Sequence, residues 1–229
     1  MPTIVFLSPK GGVGKTTSAM VLANQLSQAA AVTVIDADPN RPFQSWERGG
    51  NAPTNLKIVA DVDEENIIDK IEDAAENTPF VIVDLEGTAS KIVVLAVSQA
   101  DLVIIPTQGS QLDAEQAGRA LKVIRQQEKM ARRAVNYGVL LTRTNPAIRT
   151  RSTAHIVEGL SSNKISVFYT QLHEREAFRA MFSFRLPLSK LKPEEVSNLN
   201  KAIANADAFT SEVIERLREA KDRTAEEAA

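Results

Sequence analysis

The sequence predicts an α/β protein whose doubly wound, mainly parallel sheet carries helices on both faces. Short apolar runs, typical of buried strands, alternate along the chain with longer stretches of helical spacing. Strands that alternate with helices in this way form βαβ units, and their parallel sheet must be covered on both sides. A length of 229 residues without a linker rich in Gly, Ser or Pro indicates one such domain.

The elements follow one another from the first residues. An apolar run at 3–8 ends in a Pro/Gly loop, and residues 16–30 then carry apolar side chains at helical spacing. Further buried strands are predicted at 31–36, 56–60, 80–84, 102–106, 135–142 and 165–170. Helices are predicted at 64–76, 89–99, 111–131 and 149–160. From Pro193 to about Ala220, a Pro at a helix start indicates a closing helix or helix pair. We expect one domain over 1–220 and a flexible tail at 221–229.

Several function classes are excluded by composition. The chain has no cysteine, so it forms no disulfide, no Cys-ligated zinc or iron–sulfur site and no thiol nucleophile. No apolar run approaches the ~18 residues of a membrane span, and the N-terminus lacks the basic start of a signal peptide. These features predict a cytoplasmic protein.

The strongest chemical signal is the run KGGVGKTT at 10–17, between the first strand and the first helix. Glycines in this context let backbone N–H groups surround phosphate oxygens at a positively polarised helix N-terminus. Lys15 would reach the β- and γ-phosphates, Thr16 would offer its hydroxyl to Mg²⁺, and Thr17 could bind the α-phosphate. The predicted ATP-binding residues of the loop are Lys10, Gly11, Gly12, Val13, Gly14, Lys15, Thr16 and Thr17.

The loop departs from the common Walker A pattern at two positions. Pro9 stands where the first Gly is usual, and a second lysine, Lys10, follows it. With this change the loop resembles the deviant Walker A loop of the ParA/MinD family of P-loop ATPases. The resemblance implies an ATP-sandwich homodimer in which Lys10 reaches the partner's nucleotide.

Two acidic motifs extend the resemblance. The run DADPN at 36–40 resembles the family's Asp-x-Asp-Pro-Gln switch motif, with Asn40 in place of Gln. It implies that Asp38 orients the attacking water and that Asp36 supports the metal site. The strand at 80–84 ends in an acid, as a Walker B strand does, so Asp84 would hold Mg²⁺ through a water. The predicted catalytic residues are Lys10, Lys15 and Asp38, and the predicted metal site comprises Thr16, Asp36, Asp38 and Asp84.

Two positions beyond these motifs bear on the nucleotide. The run LLTRTNP at 140–146 resembles a family segment near the base, which implies adenine contacts by Thr142 and Arg143. Glu86 directly follows the Walker B strand and has two interpretations, a solvated loop carboxylate or a catalytic or switch residue.

Charge is distributed unevenly along the chain. The segment 119–192 holds 15 Lys/Arg and four Asp/Glu, whereas the whole chain has a net charge of −2. Such asymmetry is typical of a face that binds a polyanion. Lys/Arg contacts to phosphates supply nearly all non-specific DNA affinity. The candidate DNA-binding residues are Arg149, Arg151, Arg175, Arg179 and Arg185.

The family resemblance implies a slow ATP-driven switch, and several outputs remain open. The first is partition of plasmid or chromosomal DNA, in which an ATP dimer binds nucleoid DNA without sequence preference and a ParB-like or other cargo adaptor triggers hydrolysis. A related ATPase could position a protein cluster or transferred DNA instead. A MinD-like membrane role is disfavoured by the polar C-terminus, and a metabolic ligase by the lack of a recognisable substrate site.

Overall fold

The fold is known from a computed structural model that describes residues 1–87, 90–146 and 151–227, with side chains at all of these except 111–114, 151–152 and 224–227. The strands are β1 (Thr3–Phe6), β2 (Val32–Ala37), β3 (Leu56–Val59), β4 (Phe80–Leu85), β5 (Leu102–Thr107), β6 (Tyr137–Thr144) and β7 (Leu172–His173). The helices are α1 (Lys15–Leu26), α2 (Pro42–Glu47), α3 (Ile67–Asn77), α4 (Lys91–Ser98), α5 (Gln111–Ala131), α6 (Arg151–Ser162), α7 (Glu176–Phe184) and α8 (Leu199–Glu227).

The strands form one sheet in the order β3-β2-β4-β1-β5-β6-β7. Every strand pair in the described part of the chain is parallel, which confirms the predicted fold class. Because β1 lies between β4 and β5, the loop after β1 sits at the middle of the sheet's carboxyl edge. Ligands of open α/β sheets bind in crevices at this edge.

Two hydrophobic clusters cover the two faces of the sheet. Alternate residues of β1 point to opposite sides, so Ile4 and Phe6 join one cluster and Val5 joins the other. The first cluster includes residues of α1, α7 and α8, and the second includes residues of α3, α4 and α5. Burial on both faces is the reason the strands are continuous apolar runs rather than alternating ones.

The predicted strand at 165–170 is wrong for most of its length. Only Val167 pairs with β6, in an isolated bridge to Val139, and regular pairing resumes at β7. Side chains of α8 form hydrogen bonds with backbone groups that would otherwise pair with a neighbouring strand. Glu212 accepts hydrogen bonds from the backbone N–H groups of Tyr169 (2.9 Å) and Thr170 (2.7 Å). Arg216 donates to the Val167 carbonyl at 2.7 Å and pairs with Glu212, so this buried ion pair closes the edge.

The helices differ from expectation most clearly at α2 and α8. The short helix α2 was not predicted, although it starts with Pro at its first turn and buries Phe43 and Trp46. The closing helix α8 begins at Leu199 rather than at Pro193 and extends to Glu227, beyond the predicted end near Ala220. Residues 221–227 are therefore helical, where the sequence predicts a flexible tail.

Candidate functional site

The loop between β1 and α1 has the backbone geometry of a phosphate-binding loop. Gly12 (φ 76°) and Gly14 (φ 98°) both occupy the left-handed region that favours glycine. The first α1 hydrogen bond inside the helix runs from Ser18 N to the Gly14 carbonyl at 2.8 Å. The preceding N–H groups, those of Lys15, Thr16 and Thr17, are at the helix N-terminus, where an anion binds favourably.

Lys15 lies inside the loop rather than in solvent. Its side chain is buried, and its Nζ donates to the Lys10 carbonyl at 3.3 Å. Burial lowers the pKa of Lys15, and the nearby carboxylates of Asp84, Asp38 and Glu86 oppose this shift. An amine held among three carboxylates is positioned to exchange the Lys10 carbonyl for a phosphate oxygen.

Two buried carboxylates lie beside the loop at the ends of adjacent strands. Asp36 of β2 is paired in register with Asp84 of β4, and both are almost fully buried. Burial raises the pKa of Asp36 to about 6, although the Gln44 N–H donates to its Oδ2 at 2.9 Å. Burial raises the pKa of Asp84 to about 7, and the Thr16 side chain offsets part of that rise.

The unmet hydrogen-bonding capacity of these carboxylates fits a metal site. Neither oxygen of Asp84 has a hydrogen bond of normal geometry, although Thr16 is close enough to influence its pKa, and Asp36 Oδ1 also has none. Among the described residues, no group of three or more His, Asp or Glu side chains could hold a metal ion alone. Mg²⁺ characteristically binds one or two carboxylates together with substrate phosphates and waters. The arrangement therefore fits Mg²⁺ that arrives with a nucleotide.

The buried carboxyl of Asp84 predicts a pH-dependent stability. Between about pH 4 and pH 7 the native protein retains a proton that the unfolded chain loses, so the free energy of unfolding falls as pH rises. The Asp84→Asn variant cannot ionise. Without nucleotide, we expect it to exceed wild type by roughly 2–4 kcal/mol at pH 8 and by less at pH 5. Urea unfolding at the two pH values measures this, and equal pH slopes for both proteins would contradict it.

Asp38 borders an open cavity of about 460 Å³ above the phosphate loop. Its Oδ1 accepts hydrogen bonds from both the backbone N–H (2.8 Å) and the side-chain amide (2.9 Å) of Asn40. Glu86 and Gly87 line the same cavity. The structure thus brings Asp38 and Lys15 to one cavity, as the sequence predicts.

Lys10 occupies a different position from Lys15. It borders a larger neighbouring cleft of about 1420 Å³, together with Gln108 and Arg143, and it is not among the residues that line the smaller cavity. Lys10 and Lys15 therefore border two adjoining cavities.

The predicted base contacts lie on β6, directly beside the loop. Thr142 is buried, and its hydroxyl donates to the Val13 carbonyl at 2.7 Å. This hydrogen bond connects the phosphate loop to β6. Arg143 is exposed, has a positive φ of 53° and lines the cavity above the loop. Its Nε lies 3.7 Å from Glu174. Adenine contacts by Thr142 and Arg143 stay predictions.

Sequence reasoning missed two residues that hold the loop. Gln108, at the end of β5, donates to the Gly12 carbonyl at 3.0 Å. Gly87 lies so close that a Cβ there would be 3.3 Å from Lys15 Nζ and 3.4 Å from Gly11 N. The available signal was position, since Gln108 directly follows β5 and Gly87 comes two residues after β4, and these strands flank β1.

The candidate DNA-binding arginines within the described part of the chain lie on or beside α6 and α7. Arg149 lies outside the described residues, and Arg151 is the first residue of α6. Arg175 precedes α7 and is half-buried, whereas Arg179 is exposed and forms an ion pair with Glu174. Arg185 ends α7 with a positive φ of 51°.

Comparisons with known proteins agree with this fold. A family model described as VirC1 protein matches residues 1–218. Protein ParA of Rhizobium radiobacter is 38% identical over 221 residues, which cover 96% of this chain and 99% of that protein. Maintenance of carboxysome distribution protein A of Gloeobacter kilaueensis is 26% identical over 187 residues, covering 78% of this chain and 82% of that protein.

Solved structures show the same fold at low sequence identity. An ATP complex of McdA from Cyanothece superposes with a TM-score of 0.72 at 19% identity, covering 93% of this chain and 96% of that one. MinD from Aquifex aeolicus superposes with a TM-score of 0.70 at 20% identity, covering 92% and 98%. With its phosphate loop, its acidic strand ends and this match over nearly its whole length, the chain belongs to the ParA/MinD family of deviant Walker A ATPases.

Proposed function

We propose that the protein is a Mg²⁺-dependent ATPase that closes into a sandwich homodimer with ATP, binds DNA without sequence preference and releases it after hydrolysis. The observation that carries this proposal is the separation of the two loop lysines. Lys15 is buried in the phosphate loop, whereas Lys10 borders the adjoining cleft. A lysine in that position can serve the nucleotide of a second protomer.

The chain's own residues supply positioning and charge. The loop N–H groups and Lys15 would hold the phosphates, and Asp38 would orient the attacking water. Thr16 and Asp84 would hold Mg²⁺, supported by Asp36, and the ion would neutralise charge on the phosphates. Phosphoryl transfer needs little else, because its catalysis consists mainly of positioning and electrostatic stabilisation.

DNA release would result from a change in the state of the protein and not from the products of hydrolysis. We propose that a ParB-like or other cargo adaptor stimulates hydrolysis, which reopens the dimer. The relative named ParA supports a role in segregating plasmid or chromosomal DNA on the nucleoid. The relative named for carboxysome distribution supports the alternative that the cargo is a protein assembly.

A membrane-associated role receives less support. No described helix is long and apolar enough to span a membrane. The weakly amphipathic part of α8, residues 213–218, packs its apolar side chains against the protein core. Val213 is fully buried, and Ile214 and Leu217 pack against the core. That face is not available to a bilayer surface.

The test is binding to an arbitrary DNA duplex with ATP, with ADP and without nucleotide, each at two salt concentrations. We expect strong binding with ATP only, weakening steeply as salt rises, because each phosphate contact releases a counterion. The control is an equal concentration of a second duplex of unrelated sequence, which should bind equally. Absence of binding in all three states would reject the DNA-binding part of the proposal.

A further inference from the structure

The solvent-facing side of α5 carries a row of basic residues that the candidate DNA-binding set omits. Arg119, Lys122, Arg125 and Lys129 are all exposed. At 100° per residue they lie within roughly 120° of one another around the helix axis. We call this row the α5 basic stripe.

The opposite side of α5 is anchored in the core. Ala117, Ala120, Leu121 and Ile124 are buried in the cluster that covers the second face of the sheet. The helix therefore cannot rotate, and the stripe faces solvent as a rigid surface. Its outermost Cα atoms are separated by ten residues, or about 15 Å, which equals the rise of about four base pairs of duplex DNA.

The stripe keeps its charge available, in contrast to other basic residues nearby. Within the described residues, none of the four stripe side chains forms an ion pair. Arg179 and Arg143 both approach Glu174, and Arg133 donates to the carbonyls of Ser98 and Ala100. Glu128, on the same helix, accepts a hydrogen bond from the Val135 N–H instead.

We propose that the α5 basic stripe is the surface that holds the phosphate backbone of duplex DNA. This inference rests on the proposed function. The stripe presents four exposed cationic side chains along one side of the helix, which fits contacts to the phosphate backbone that ignore sequence. Its apolar side is committed to the core, so the helix cannot insert into a bilayer interface.

The position of α5 also links the stripe to the nucleotide. The segment that leads into α5 begins at Gln108, whose side chain contacts the Gly12 carbonyl of the phosphate loop. A nucleotide-dependent homodimer would present two stripes to one duplex, and bivalent attachment strengthens binding without new contacts.

The test compares two triple variants of the full chain on an arbitrary duplex with ATP. The first combines Arg119→Gln, Lys122→Gln and Lys129→Gln. The control combines Lys57→Gln, Lys70→Gln and Lys201→Gln, which are exposed, lie outside the stripe and change the net charge equally. We expect the stripe variant to bind more weakly, with the slope of log K against log salt reduced by about 0.9 for each phosphate that the variant no longer neutralises. The control should retain the wild-type slope.

The outcomes separate this inference from the proposed function. If wild type binds with ATP and the stripe variant keeps the wild-type affinity and slope, the inference is wrong and the proposed function stands. If wild type does not bind the duplex in any nucleotide state, both fail. If both triple variants bind DNA more weakly by the same amount, the effect comes from net charge alone. That result would also show that the inference about the α5 basic stripe is wrong. Thermal melting of each variant confirms that weaker binding does not reflect unfolding.

Discussion

The Lys15→Ala variant should lose ATP binding almost completely. Lys15 is the buried cation of the phosphate loop, and its amine now donates to the Lys10 carbonyl among three carboxylates. Removing it leaves Asp84, Asp38 and Glu86 to repel the incoming phosphates without a compensating positive charge. Removal of a buried, hydrogen-bonded charge from such a pair costs about 2–5 kcal/mol. We therefore expect affinity for ATP to fall at least ~100-fold, measured by isothermal titration calorimetry with Mg²⁺.

Lys10→Ala is the matched control for this experiment. Lys10 belongs to the same loop but borders the neighbouring cleft. We expect this variant to bind ATP as a monomer and to fail in dimerisation. Undiminished ATP binding by Lys15→Ala would reject the assignment of the phosphate loop. Equally weakened ATP binding in both variants would show that the two lysines do not have separate roles.

The sequence could predict the fold and the loop because their signals are local. Glycines at positive φ, a strand before them and a helix after them are all encoded within 3–26. The buried strands are apolar because both of their faces are covered. The parallel arrangement places the carboxyl ends of β2 and β4 at the same edge of the sheet, where Asp36 lies beside Asp84.

The features that were missed depend on contacts between distant segments. The segment 165–170 has the composition of a strand, yet Glu212 and Arg216 bind its backbone from α8. Nothing near 165–170 in the sequence indicates that partner. The hydrogen bond from the Thr142 hydroxyl to the Val13 carbonyl, 129 residues away along the chain, was not predicted either. Such side-chain contacts are properties of the assembled sheet edge.

The basic segment shows a third limit of sequence reasoning. Total charge over 119–192 indicates a polyanion-binding face but does not distinguish available side chains from those engaged within the protein. Arg133 and Arg179 count equally in the total, although both have intramolecular partners. Only the orientation of α5 shows that four of the basic residues face solvent on one side.

The Asp38→Ala variant should bind ATP and dimerise but hydrolyse ATP at least ~100-fold more slowly, the range expected when a positioned acid–base group is removed. Asp38 borders the cavity above the phosphate loop. Both hydrogen bonds from Asn40 go to its Oδ1, which fixes the carboxylate and leaves Oδ2 for a water. The substitution also removes one negative charge near Lys15, so ATP affinity should not fall. Phosphate release measures turnover, and light scattering measures the dimer.

Glu86→Gln separates Asp38 from the other carboxylate of the same cavity. We expect this variant to retain turnover if Asp38 orients the water. Wild-type turnover in Asp38→Ala, together with slowed turnover in Glu86→Gln, would assign that role to Glu86 instead.

The two variants should also differ in their effect on DNA binding. A dimer that forms with ATP but cannot hydrolyse it has no step that reopens it. Asp38→Ala should therefore stay bound to duplex DNA in the presence of ATP, even when wild type has consumed its ATP and dissociated.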